Sequence, residues 1–308
     1  MAAYILKRIT SGIATIFVLI TVTFFLMHAI PGGPFSPADE RNVPQSVIDM
    51  VQKKYGLTDS TYVQYIRYMK NISKGDLGIS FKQQDESVNT IIARGFPVSA
   101  RVGLLAVLIS LLFGIPLGII SAVKRGSWMD MASMIFATIG IAVPSFIIAV
   151  LSLYLFSVVL HVLPSYGLNS WKAYILPVFG LAIGPVAYIA RLTRSSMLEV
   201  MCQDYIRTAR SKGVHEFFIV TKHALVNAII PVVTYLGTLV AALLTGSFVI
   251  ERIFSIPGIG RDYVTSIGDR DYSVILGMTV FFGAFVVVAN IIVDVLYAII
   301  DPRVKIEE

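Results

Sequence analysis

The sequence predicts an all-α integral membrane protein built on six spanning helices. Three observations carry that prediction. The first is composition. Of 308 residues, 56% are hydrophobic and 14% charged, against about 25% charged in soluble domains. A surface of ordinary polarity cannot be built from so few charges. The second is a series of six apolar runs. A helix rises about 1.5 Å per residue, so about 20 residues cross the hydrocarbon core. The third is the placement of Lys and Arg, which crowd into some connecting segments and thin out in others. The net charge of +6 follows from those basic loops and is not a nucleic-acid footprint. One cysteine, Cys202, excludes an intrachain disulfide.

The first run, Ile9–Ile30, follows Lys7 and Arg8 and could be taken for a secretory leader. It exceeds the 7–15 residues of a leader's apolar region, and no convincing small-x-small cleavage site follows it. We read it as a retained span. The segment 31–98 begins with the turn-rich PGGPFSP. Within it, Pro44–Lys54 and Thr61–Ser73 read as short surface helices, and Val88–Ile92 continues toward the second span. That span, Ser99–Val123, holds Gly114 and Gly118 at a spacing that lets helices approach closely in lipid. The third run, Met129–His161, is too long for one straight helix and contains Pro144, so one kinked or tilted helix is expected. The fourth, Ala173–Thr193, carries Pro177, Gly180, Gly184 and Pro185. The fifth is Ile229–Ile250 and the sixth Ser273–Ile300.

Six spans leave both termini on one side. That side holds Lys7, Arg8, Lys124, Arg125, Arg191, Arg194, Arg207, Arg210, Lys212, Lys222, Arg303 and Lys305. The opposite short loops hold Lys172, Arg252, Arg261 and Arg270, the last three among Glu251, Asp262, Asp269 and Asp271. The excess of basic residues puts both termini in the cytoplasm and 31–98 outside.

The largest cytoplasmic loop, 195–228, is basic yet carries apolar residues at helical spacing. Ile206, Ala209, Gly213, Phe217 and Val220 recur at three- and four-residue steps, while Arg207, Arg210 and Lys212 fall off that stripe. Gly213 is expected to divide two short helices. An apolar stripe has to be covered. The protein's own helix ends, the lipid interface or another protein could cover it, and the pattern alone leaves these open.

The residues RTARSKG (207–213) followed by KHALVNAIIP (222–231) resemble the cytoplasmic signature of permease subunits of ABC importers. Positions 207–209 read Arg-Thr-Ala where the general pattern has Glu-Ala-Ala, a departure similar to the peptide-permease branch. Other stretches agree with that branch in order and spacing. They are AIPGGPF (29–35), GDLGIS (75–80), PVSAR (97–101), VPSF (143–146), ARLTRSSMLEV (190–200), IPGIGR (256–261), RDY (270–272) and VDVLYAIIDPR (293–303). Together they span nearly the whole chain. The chain resembles the B-type membrane subunit of an oligopeptide or dipeptide importer, the oligopeptide form being favoured.

The resemblance implies a type I ABC importer permease fold with a helical extracytoplasmic loop after the first span, in a bacterial inner membrane. It divides the chain into residues 1–30 (N-terminus and first helix), 31–98 (outer loop), 99–303 (permease domain) and 304–308 (tail). It implies a second homologous permease subunit, two cytoplasmic ATPase subunits and an extracytoplasmic peptide-binding protein, besides membrane lipid. It implies that Ile206, Arg207, Ala209, Arg210, Lys212, Gly213, Glu216 and Phe217 form the coupling helix that docks on an ATPase. It also suggests that the stretch with Pro257, Gly258 and Gly260 is a re-entrant segment at an outer gate, where composition alone allows an ordinary loop.

The chain has no G-x-x-x-x-G-K-[ST] phosphate loop. This chain is therefore expected to bind no cofactor, with ATP and Mg held in partner subunits, and to be non-catalytic. Catalytic and metal-binding spacings are also missing, and His28, His161, His215 and His223 are scattered. Inside the sixth span Asp294, with Asn290 four residues earlier on the same face, forms a candidate polar site. A structural hydrogen bond and a pathway role both fit it. A self-sufficient secondary transporter or channel using Asp294 is the competing reading, and a permease for dipeptides or nickel complexes is a narrower one.

Overall fold

The computed structural model describes the backbone of residues 2–29, 56–83 and 86–300, with the side chains of 2–5 and 293–300 excepted. The expected helix at Pro44–Lys54, the PGGPFSP turn and the side chain of Asp294 lie outside the described residues. Among those described, every extended regular element is helical, and the sole strand-like pairing is an isolated antiparallel bridge between Ile79 and Ser87. In order they are α1 (Ala2–Ala29), α2 (Thr61–Ile72), α3 (Val88–Val123), α4 (Trp128–Ala142), α5 (Ser145–Leu153), α6 (Ile175–Met201), α7 (Asp204–Ser211), α8 (Glu216–Phe218), α9 (Leu225–Ala228), α10 (Ile230–Leu244), α11 (Phe248–Ile253), α12 (Ile259–Asp269) and α13 (Tyr272–Ile300). A π-turn, Tyr154–Val159, extends α5, a 3₁₀ turn, Trp171–Tyr174, leads into α6, and a second π-turn, Ile219–Ala224, joins α8 to α9.

Five described stretches are long and apolar enough to cross a membrane: Leu6–Ala29, Val88–Val123, Trp171–Met201, Ile230–Ile253 and Tyr272–Ile292. A sixth forms if Trp128–Ala142 and Ser145–Val159 count together, although these are bent by 101°. The single kinked helix expected over Met129–His161 is therefore a broken one. The reason is local. Proline disfavours helical backbone in the residue before it, and Val143 is extended, at φ −87° and ψ 123°. Pro144 then precedes the first helical residue of α5, where its missing N–H costs no helical bond. The helix containing the second span begins at Val88, eleven residues before the expected start at Ser99.

The chain divides into two compact units, residues 1–98 with 257–288 and residues 99–256 with 289–308. In the first unit α2 lies on α1. The Tyr65 and Thr21 hydroxyls share a 2.8 Å hydrogen bond, His28 and Gln64 are linked at 3.2 Å, and Phe24 sits among the rings of Tyr65 and Tyr68. Val88, Ile91, Ile92, Ile259, Val274 and Met278 make the apolar centre. Asp271 closes it. This carboxylate is 2% exposed. It accepts the Ser80 hydroxyl at 2.5 Å and the Phe81 amide at 3.2 Å, and it caps α13 through the Val274 amide. Two separate stretches of the peptide-permease pattern, 75–80 and 270–272, thus meet in one bond.

In the second unit α6 is the central element. Gly114 and Gly118 of α3 face it: a methyl group on Gly118 would stand 2.5 Å from the Thr193 Cβ, and one on Gly114 would stand 2.8 Å from the Ile189 Cβ. Gly140 of α4 meets Ala187, and Gly180 of α6 meets Ala149 of α5. The close approach expected of Gly114 and Gly118 is what the backbone shows. Filling that space forces the helices apart, and overpacking costs about 1–3 kcal/mol or more. Gly118→Leu should accordingly lower the yield of monodisperse protein in mild detergent several-fold, whereas Gly126→Ala, with open space around it but a left-handed φ of 77°, should be milder. Equal yields for Gly118→Leu and the native chain would contradict the packing.

Candidate functional site

The loop joining α6 to α10 has two faces of different chemistry. Its inner face is apolar. Ile206 and Ala209 of α7, Ile219 and Val220 of the π-turn, Ala224, and Ala228 of α9 form a buried cluster with Ala122 of α3 and Met197 of α6. Ile206 has no exposed surface. A side chain of this size contributes about 1.5–3 kcal/mol when fully buried, so the loop is held firmly against the ends of α3 and α6.

The outer face presents aromatic and charged groups. Phe217 is 63% exposed, and Tyr205, Phe218 and Val226 are exposed as well. Arg207, Arg210, Lys212, Gly213 and Glu216 are exposed too. The Phe217 and Phe218 rings meet edge to face at 5.7 Å, and the Lys222 ammonium stands 5.3 Å from the Phe218 ring centre. The Asn227 amide donates to the Tyr205 hydroxyl at 2.9 Å. These contacts hold the rings in place without covering them.

Gly213 lies between α7 and α8 with a left-handed φ of 74°, a conformation that side chains with a Cβ rarely adopt, and with open space around it. Arg210 and Glu216 close the turn. The guanidinium donates to both carboxylate oxygens, from Nη2 at 2.6 Å and from Nε at 3.2 Å. The His215 ring nitrogen accepts the Phe217 amide at 3.3 Å and caps α8.

The residues of the expected coupling helix are thus divided. Arg207, Arg210, Lys212, Gly213, Glu216 and Phe217 are exposed. Ile206 and Ala209 are not; they turn inward with Val220 and pack on the protein's own helices. The single stripe fails because α7 ends at Ser211 and the chain becomes helical again only at Glu216, so the helical step does not carry across the break; Phe217 is exposed and Ile219 buried. Sequence reasoning missed Tyr205 and Phe218 as exposed groups. It also missed the Arg210–Glu216 bridge, for which opposite charges flanking Gly213 were the available signal.

The stretch proposed as an outer gate is more regular than expected. Gly258 caps the 11-residue helix α12, which is too short to span. Gly258 and Gly260 are buried while Pro257 is exposed. A methyl group on Gly95 would stand 3.0 Å from the Ile259 nitrogen, so α12 starts in close contact with α3. Burial pushes the Asp262 carboxyl up, against the pull of Arg94 and Arg261. Asn290 is exposed on α13.

The loop is anchored by its buried residues and exposes aromatic rings, and comparison with known proteins identifies the class to which the chain belongs. Residues 114–306 match the family described as binding-protein-dependent transport system inner membrane component, and residues 1–103 match the N-terminal region of such components. The chain belongs to this family. Among its relatives, the dipeptide transport system permease protein DppB of Bacillus subtilis (strain 168) is 47% identical over 308 residues, covering 100% of this chain and 99% of the relative. The oligopeptide transport system permease protein OppB of Escherichia coli (strain K12) is 42% identical over 307 residues, covering 99% of this chain and 100% of the relative. Among solved structures, the MetNI methionine ABC transporter in an inward-facing conformation superposes with a TM-score of 0.56 at 20% identity, over 68% of this chain and 96% of that one. An amino acid ABC transporter superposes with a TM-score of 0.54 at 16% identity, over 68% of this chain and 94% of that one. The fold is that of type I ABC importer permeases, and the resemblance to the permease family holds.

The bridge gives the loop a defined pH response. Hydrogen bonds from Arg210 hold the Glu216 carboxyl below the usual range. A depressed acid stabilises the folded form above its unfolded pKa, about 4.3, and that contribution disappears as pH falls through the lower folded value. Amide exchange in residues 211–215 should therefore keep the same protection from pH 8 to 5 and lose it only below about pH 4. Both groups are half exposed, so Arg210→Gln should speed exchange only about three-fold at neutral pH. Loss of protection near pH 6 would contradict the assignment.

Proposed function

We propose that this chain is the B-type permease subunit of an ATP-driven peptide importer and forms half of the translocation pathway. The observation that carries the reading is the exposure of the Tyr205, Phe217 and Phe218 rings on a loop whose apolar residues are locked onto α3 and α6. In this reading the outer face docks on a cytoplasmic ATPase and the inner face passes its motion to the spans. The chain itself is non-catalytic. ATP and Mg are held by two ATPase subunits, and a second homologous permease completes the pathway. An extracytoplasmic binding protein delivers the peptide.

Oligopeptides are the proposed cargo, supported by full-length relatives named as oligopeptide permeases. Dipeptides are the second reading, favoured by the 47% identity to a permease named for dipeptide transport. Both termini and the loop 195–228 are proposed to be cytoplasmic and the segment 31–98 outside, in a bacterial inner membrane. The basic residues around the loop, Arg207, Arg210, Lys212 and Lys222, support that side. Pro257, Gly258 and Gly260, as gate elements, and Asn290 with Asp294, as an intramembrane polar site, remain secondary proposals.

Two experiments test this reading. The first separates the faces of the loop, with ATPase co-purification and peptide uptake measured at matched membrane abundance. An interface anchor costs about 2 kcal/mol or more when truncated, so Phe217→Ala should reduce ATPase retention about 30-fold without changing abundance. Ile206→Ala removes buried volume, at about 2–5 kcal/mol, and should instead reduce abundance. Normal retention and uptake in Phe217→Ala would overturn the docking assignment. The second experiment concerns sidedness. Single cysteines at Ser73 and Ser211, in a Cys202→Ser background, should react with an impermeant thiol reagent from opposite sides of the membrane. Reaction from one side would overturn the six-span arrangement.

A further inference from the structure

A buried charge clamp stands directly behind the loop. Asp130, in the first turn of α4, is 6% exposed. Its carboxylate receives four donors from three places. Arg194 of α6 donates from Nε to Oδ1 at 2.7 Å and from Nη2 to Oδ2 at 2.9 Å. The Ser121 hydroxyl, in the last turn of α3, donates to Oδ1 at 2.5 Å. The Gly126 amide, in the turn between α3 and α4, donates to Oδ2 at 2.9 Å. A planar guanidinium gripping both carboxylate oxygens fixes orientation as well as distance. The ends of α3, α4 and α6 are tied at one point.

The clamp and the loop's anchorage are chain neighbours. Ser121 precedes Ala122, and Arg194 lies three residues, or about one helical turn, before Met197. Ala122 of α3 and Met197 of α6 are the two buried residues on the long helices that pack with Ile206, Ala209, Ile219 and Val220. A force on the loop reaches α3 through Ala122 and α6 through Met197. Without a tie, those two helix ends could yield separately and the displacement would be lost between them. With it, they move together and carry α4 along.

We propose that the Asp130–Arg194 pair is a positioning element for transport, making α3, α4 and α6 follow the loop as one body when an ATPase pulls on it. The inference rests on the reading that the loop docks on an ATPase. It assigns to the clamp a role in the tightness of coupling, separate from docking and from the chemistry of ATP hydrolysis.

The test uses the full complex, with its ATPases and binding protein, in liposomes, and reads ATP hydrolysed per peptide imported. Asp130→Asn keeps the shape and part of the hydrogen bonding, and Arg194→Lys keeps the charge but not the two-pronged grip. Each should retain the ATPases yet raise ATP consumed per peptide about five-fold or more, the lower end of ordinary coupling between sites. A purely structural role lowers abundance and leaves that ratio alone, so an unchanged ratio in an assembled variant overturns the proposal. Breaking a buried pair can also prevent assembly. The native complex is therefore measured too, with spin labels at Lys124 and Ser195 in a Cys202→Ser background. Their separation should stay constant between nucleotide-free and ATP-trapped states. A change larger than about 2 Å, the scale of helix shifts in such transitions, overturns the proposal even if no variant assembles. A native complex that contains no ATPase removes the docking reading itself, and the clamp's role falls with it.

Discussion

Lipid tails are as apolar as leucine, so burying one apolar helix face on another gains little inside a bilayer. What remains is close packing of backbones, and in the second unit α6 supplies the surface for it. Gly114 and Gly118 bring α3 within reach, Gly140 brings α4, and Gly180 admits α5. Each contact is tight enough that a single methyl group would collide. The arrangement of the other helices in this unit follows from how closely they can approach that one.

Polar groups then fix register at the places where small residues permit contact. Asp130 does so at one end of the second unit, and Asp271 does so within the first. Both carboxylates are buried and both are filled by several donors, which offsets the cost of removing charge from water. The pattern separates two tasks. Glycines set distance, and buried carboxylates set rotation and axial position. The loop between α6 and α10 inherits its place from this frame, because its buried side chains rest on Ala122 and Met197.

The apolar runs made most of the architecture readable. Composition and length place the spans, and Gly114 and Gly118 advertise a close contact without naming its partner. The loop was only partly legible. Periodicity correctly marked Ile206, Ala209 and Val220 as one face, but it could not say whether that face looks inward or outward. The division at Gly213 was expected, but the stripe was counted across it as though the helical step continued, and the wider π spacing of the Ile219–Ala224 turn was not foreseen. Phe217 therefore leaves the stripe it was counted in. The Asp130–Arg194 pair was invisible for a different reason. Its members are 64 residues apart in the chain, and nothing local to either residue announces the other. Helix breakage at Pro144 was signalled, but its size was not, because a proline marks the position of a bend and leaves its angle to the surroundings.

The break at Pro144 bears on how the protein is made. The two halves, Trp128–Ala142 and Ser145–Val159, are 15 residues each, or about 22 Å of helix at 1.5 Å per residue. Neither half alone reaches across a hydrocarbon core of about 30 Å. Both halves find their packing on α6, through Gly140 against Ala187 and Ala149 against Gly180, and α6 leaves the ribosome later than either. The segment between Trp128 and Val159 thus acquires its final place only after a helix still to be synthesised has arrived. The packing of this segment is therefore completed later than its synthesis, whatever the order in which the spans enter the membrane.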